Sequence, residues 1–238
     1  MKNQQGFSLI ELAIVLVIVT LLIGGLAIPL SAQIQGRRIA ETKIIMEEAR
    51  EAIFGYALTH INASLKPYLP CPDTDGDGVE NRNPSTLDCA SESGFFPWVD
   101  LGTAAQDAWG NRLHYAIYDI YGKGSQGVSK SDIGTDKQIC DTSVGSCNVG
   151  NVAAKVPVVL VSYGPNGWGA RNVNGSTLQL PTSDDELENI STTPGLDPDA
   201  YITHPPTKAP APEFDDLVVW ISRPLLISRV CLAPSDCP

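Results

Sequence analysis

Basic residues are scarce. There are 16 Lys and Arg against 27 Asp and Glu in 238 residues, a formal net charge of −11. That balance argues against a nucleic-acid binder, which needs a basic footprint to displace counterions from phosphates. Charged residues of both signs together make up 18%, too few for a charge-rich disordered chain. The length suits one or two domains with a buried core. Histidine occurs only at His60, His114 and His204, and there is no C-x-x-C, so a zinc site has little to draw on. No G-x-S-x-G, H-E-x-x-H or Walker sequence is found, and no segment repeats. Gly122-Lys123-Gly124-Ser125-Gln126-Gly127 fits G-x-G-x-x-G by letter, but without a following helix or a βαβ context it reads as a hairpin loop.

What the chain does have is one long apolar run. Leu9 to Leu30 spans 22 residues whose only polar side chains are Glu11 and Thr20. As a helix it would be roughly 33 Å long, enough to cross a bilayer core. A secretory signal peptide has a more basic leader, a shorter apolar stretch and a small-residue cleavage site. Here Lys2 is the only leader charge, and the region of Ala27 and Ala32 makes a poor A-x-A site. A membrane anchor with Lys2 on the cytoplasmic side is the expectation. A carboxylate such as Glu11, placed deep in a span, costs on the order of 2.5–3.5 kcal/mol and calls for a partner.

Gly6-Phe7-Ser8-Leu9-Ile10-Glu11, followed by Leu12-Ala13-Ile14-Val15-Leu16, closely resembles the processing motif of type IV prepilins. The resemblance implies a leader over 1–6, cut after Gly6 by a prepilin peptidase, and N-methylation of Phe7. It implies that Glu11 pairs with the terminal amine of a neighbouring subunit as helices stack into a filament, which is physically sound because a buried carboxylate needs a cation. Partners would be this chain, other pilins or pseudopilins, and an inner-membrane assembly platform. Gly24-Gly25 and Pro29 also resemble the family, and Pro removes a helical hydrogen bond. A kink or local melting between Gly24 and Pro29 is expected in an assembled filament. A bacterial leader leaves the sequons at Asn62, Asn174 and Asn189 without use.

An assembly helix over 7–30 would continue as an amphipathic helix over 31–66. Ile34, Ile44, Ile45, Ala49, Ala52, Ile53, Tyr56, Ala57 and Ile61 recur at near-helical spacing opposite a charged face, and Pro67 ends the pattern. Residues 67–238 read as a β-rich head in the periplasm or outside the cell. Strands are expected at Arg112–Tyr118, Val156–Tyr163 and Leu217–Ser222, with a weaker fourth at Leu225–Leu232. Ser183–Pro212, rich in Asp, Thr and Pro, reads as an irregular insertion. The fold class is α+β, and the family resemblance implies a pilin fold, a long helix on a small antiparallel sheet. Six cysteines in an exported head suggest disulfides; of fifteen possible pairings, proximity favours Cys71–Cys89, Cys140–Cys147 and Cys231–Cys237.

Two places suggest calcium. Asp73-Thr74-Asp75-Gly76-Asp77-Gly78 matches the first half of an EF-hand-type loop, with carboxylates at alternate positions converging on one cation. The twelfth position is Pro84, so Glu80 or Asp88 and the Val79 carbonyl would complete the shell, at an affinity on the order of 10⁻⁴–10⁻³ M. The alternative is an exposed acidic turn. A phosphatase aspartate motif would need an apolar strand before it, and Pro70-Cys71-Pro72 is not one. Further on, Asp107-Ala108-Trp109-Gly110-Asn111 through Tyr115, Val159 through Gly167, and Phe214-Asp215-Asp216 through Trp220 resemble segments of the major pseudopilin of type II secretion. That family holds calcium near its C-terminal loop, which implies Asp215 and Asp216 as ligands; Asp184, Asp185 and Glu186 are unranked additions. Trp109 and Trp220 read as core or turn packing.

The leading reading is a filament subunit that polymerises and is not an enzyme. The alternative is a membrane-anchored periplasmic calcium-binding module or enzyme. Residues 1–66 sum to +1 and residues 67–238 to −12, so the acidity belongs to the head.

Overall fold

The computed structural model describes residues 8–132, 137–143, 151–190, 199–208, 212–231 and 237, with the side chains at 25–29 and 151 outside that description. The chain forms two compact units, 1–40 and 41–238. Gly6 and Phe7 lie outside the described residues.

A single helix, α1, runs from Leu9 to Thr59. Its start is a capping box. The backbone N–H and hydroxyl of Ser8 both donate to Glu11 Oε2, at 2.8 and 2.9 Å, and the Glu11 N–H donates back to Ser8 Oγ at 3.3 Å. The backbone is helical throughout, including the stretch around Pro29. In the first unit the apolar side chains from Leu9 to Ile23 are exposed; Leu9 is 91% and Leu21 71% accessible. The expected transmembrane span over 7–30 is not met in full: among the described residues no helix is long and apolar enough to cross a membrane. The continuous stretch of described side chains in that run reaches from Leu9 to Gly24, about 24 Å of helix against a hydrocarbon core of about 30 Å.

In the second unit, α1 ends at Thr59 rather than near Leu65. The Asn62 side chain takes over the chain direction there. Its Oδ1 accepts the N–H groups of Ser64 and Lys66, both at 2.9 Å, and Leu65 adopts a positive φ of 60°. The sheet beside the helix has the order β1(Ser93–Phe95), β2(His114–Ile117), β5(Val158–Ser162), β7(Leu217–Ile221), all antiparallel. A second sheet has the order β4(Asn151–Val156), β3(Lys137–Cys140), β6(Ala200–Ile202), and its β3–β6 pair is parallel. The expected small antiparallel sheet is therefore joined by a mixed one. Two short helices, α2(Trp98–Leu101) and α3(Asp119–Gly122), flank β2 in the chain.

Strand alternation explains the layering. Tyr115, Ile117, Val158 and Leu160 pack with Met46, Ala49, Ile53 and Ala57 of α1. Their neighbours Ala116, Val159 and Val161 pack with Ile139, Val156 and Tyr201 of the second sheet. Covered on both faces, β5 is buried along its whole length, as its unbroken Val158-Val159-Leu160-Val161 run requires. Ile34, Ile44 and Ile61 of the predicted apolar stripe are exposed, Ile44 at 60%. The predicted fourth strand is instead a helix, α5(Arg223–Val230), because Pro224 sits in its first turn, where a missing N–H costs nothing. Leu226 and Val230, four residues apart, face the core. The insertion is ordered in part: it holds α4(Asp184–Glu188) and β6.

Candidate metal centre

Pairing of β5 with β7 sets Ser162 opposite Leu217. The turn after β5 and the residues before β7 are thereby brought side by side. Gly164, with φ +58°, makes the close approach possible, since a Cβ there would stand 2.2 Å from the Asp215 carbonyl oxygen. α4 adds a third segment. One carboxylate oxygen from each of Glu186, Asp215 and Asp216 lies within 4.8 Å of the others. Glu186 is 1% and Asp216 5% accessible.

Amides position these carboxylates but do not satisfy them. Glu186 Oε1 accepts from Asn166 Nδ2 and from the Asp215 N–H, both at 3.1 Å. Asp215 Oδ2 accepts the Asn166 N–H at 3.3 Å, and Asp216 Oδ2 accepts from Asn189 Nδ2 at 2.8 Å. Glu186 Oε2 and Asp215 Oδ1 are buried with no hydrogen-bond partner. Desolvation and then the Glu186 charge push the Asp215 carboxyl up to about 7. Burial, with smaller pushes from Glu186 and Asp215, raises Asp216 well above the carboxylate range, and burial raises Glu186 as well. Lys208 and His204 pull the other way only weakly. Buried acceptors lacking donors cost free energy, and a bound cation would offset that cost. The donors are all hard oxygens, a set that would suit calcium or a similar divalent ion.

Of the three acidic residues left unranked by the sequence, the structure selects Glu186. Asp185 accepts instead from the Ser143 N–H at 2.7 Å and lies 3.3 Å from His204 Nε2, and Asp184 is exposed. Asn166 and Asn189, which orient the carboxylates, carry no sequence signal that separates them from loop asparagines.

The loop at 73–78 is arranged differently. Its three aspartates do converge, yet the fully buried Asp73 is served by its own backbone. Its Oδ1 accepts from Asp75 and Gly76 at 3.0 and 2.7 Å, and its Oδ2 from Gly78 at 2.8 Å. Asp77 Oδ1 accepts the Val79 N–H at 2.8 Å. Glu80 is not brought to the group; it accepts from Tyr56 Oη and the Cys71 N–H, both at 2.8 Å, and pairs with Arg82 at 2.9 Å. Asp88 accepts from Ser125 Oγ at 3.2 Å. The Arg171 guanidinium donates to the Asp75 carbonyl at 2.9 Å, so a protein cation already stands beside this loop.

The remaining predicted residues fall into structural places. Cys71–Cys89 and Cys231–Cys237 are bonded. Cys140 is also in a disulfide, and Cys147 lies outside the described residues. The Asp107 carboxylate accepts the N–H groups of Trp109 and Asn111, both at 2.9 Å, and the Ser162 hydroxyl at 2.7 Å, tying the Asp-x-Trp-Gly-Asn turn to β5.

Residues 1–27 match the family model for the prokaryotic N-terminal methylation motif. No curated protein and no solved structure matches the chain.

Proposed function

We propose that this chain is the precursor of a structural subunit of a type IV pilus-like filament or type II secretion pseudopilus. The observation that carries the reading is the methylation motif at 1–27, the prepilin-type signal, leading into a helix whose apolar side chains from Leu9 to Ile23 are exposed. An apolar surface of that extent needs covering. The inner membrane covers it in the precursor, through the run Leu9–Leu30, and neighbouring helices cover it after assembly. Such a subunit works by polymerising. Cleavage after Gly6 frees the amine of Phe7, and Glu11 offers it a carboxylate.

Mass spectrometry of the protein recovered from a host with a prepilin peptidase tests the processing step. A methylated Phe7 at the mature N-terminus is expected, and an intact Met1 would overturn the reading. Two substitutions separate the roles of Glu11. Glu11→Gln keeps a capping-box acceptor and removes the charge, whereas Glu11→Ala removes both. Loss of filaments with both variants, at normal precursor levels, supports the charge pairing; normal filaments with Glu11→Gln sink it.

We further propose that the head binds calcium through Glu186, Asp215 and Asp216. The two buried, partnerless carboxylate oxygens favour this place over the 73–78 loop. Calorimetric titration of metal-free protein with calcium is the direct measurement.

A further inference from the structure

We infer that the insertion between β5 and β7 supplies its own ligand to this centre, Glu186, so that the bound cation latches α4, and through Asn189 the strand β6, to the central sheet. The inference rests on the cation reading above. Asp215 and Asp216 stand at the entry to β7, on the central sheet. Glu186 stands on a five-residue helix too short to hold itself together. Yet it is 1% accessible, with Oε2 buried and unpartnered beside the two aspartates.

The connection onward from α4 is specific. Asn189, fully buried, donates through Nδ2 to Asp216 Oδ2 and to the Ile202 carbonyl, at 2.8 and 3.1 Å. Its Oδ1 accepts the Ile202 N–H at 2.7 Å. One side chain therefore reads the state of Asp216 and holds the end of β6. The start of β6 is secured separately, where Lys137 Nζ lies 2.5 Å from Asp199 and 2.9 Å from Glu92. Apolar packing helps α4 to stay, since Ile190 and Leu187 belong to the second core. Against that packing acts the repulsion of three carboxylates within 4.8 Å. Like charges this close favour separation or protonation; a divalent cation reverses the sign of the interaction. Occupancy of the centre thus decides whether α4 is pressed onto the sheet or pushed from it, while the β3 end of β6 stays tied.

Hydrogen exchange read by mass spectrometry on the full-length protein, in calcium and in chelator, tests this. The expected result is exchange at least about tenfold slower with calcium in peptides covering 184–190 and at Ile202, with β2 and β5 unchanged. Glu186→Gln retains the acceptor for the Asp215 N–H, so the head folds. It should abolish the calcium-dependent protection and weaken calcium binding by at least about tenfold. Asp184→Asn, at an exposed position of the same helix, should change neither. Absence of calcium binding in calorimetry overturns the cation reading and this inference together. Calcium binding that leaves exchange at 184–190 unaltered, or that survives Glu186→Gln undiminished, overturns the latch and leaves the site on the aspartates.

Discussion

Glu186 and Asp215 meet at 3.1 Å, where Oε1 of the glutamate accepts the aspartate's backbone N–H, while Glu186 Oε2 and Asp215 Oδ1 are buried without partners. The contact joins an insertion helix to the entry of a central strand and sets three carboxyl groups together where burial disfavours their charged forms. Its energetics therefore depend on what occupies the centre.

Removal of charge there should have opposite effects in the two states. In chelator, Asp216→Asn relieves repulsion in a cluster whose carboxyls are all pushed up. It should raise the melting temperature by about 2–4 °C, equivalent to about 1 kcal/mol for a domain of this size. In calcium the same variant should lose the cation's increment and melt below the unaltered protein. Scanning fluorimetry in both buffers shows whether the curves cross; parallel shifts of one sign would contradict the assignment.

Gly164 should accept no side chain. A Cβ at φ +58° would strike the Asp215 carbonyl oxygen at 2.2 Å. Gly164→Ala adds backbone strain to a clash with main chain that cannot swing away, costing about 2–4 kcal/mol. Urea unfolding should record the loss, and calcium binding should fall with it because the turn carries Asn166.

The Cys71–Cys89 bond closes a separation of 18 residues. In the chain-entropy view such a loop contributes about 3 kcal/mol. The double variant Cys71→Ser, Cys89→Ser should show that deficit in urea unfolding. It should leave the calcium response in place, since the disulfide secures the loop under α1 and not the metal centre.

His114 gives a pH dependence of known sign. It is buried beside Tyr163 and Tyr201, and burial, then the charge of Lys137, hold its imidazole down at about 4. The unfolded chain, with a histidine near 6.5, takes up the proton first. Stability from the neutral ring is therefore present above about pH 6.5 and is lost as pH falls toward 4. Between about pH 7 and pH 4.5 the unaltered protein should lose about 2 kcal/mol more than His114→Asn. The comparison with the variant cancels the carboxylates, whose raised values act in the opposite direction. Equal losses in the two proteins would show that the ring titrates normally.

Much of the scaffold was legible from pattern. The motif around Gly6 and Glu11, the three buried or half-buried strands and the close cysteine pairs are local features, set by neighbours within a few residues or by period-2 alternation. Ser8-x-x-Glu11 is legible in the same way as a capping box. The misreadings came where two local signals competed. Leu225–Leu232 has strand-like composition, but Pro224 and the four-residue spacing of Leu226 and Val230 favour a helix. The helix end at Thr59, eight positions before Pro67, is decided by the Asn62 side chain.

By itself the sequence determined the N-terminal methylation motif, the segregation of acidity into the head, and three of the four strands of the central sheet, because each depends on residues close together in the chain. The tertiary structure decided which acidic residues matter. Asp73, Asp75 and Asp77 have the more suggestive spacing, yet backbone N–H groups already satisfy the buried Asp73. Glu186 is 29 positions from Asp215 and shows nothing distinctive locally. Only the pairing of β5 with β7 and the docking of α4 bring them together, and only burial leaves Glu186 Oε2 and Asp215 Oδ1 without partners.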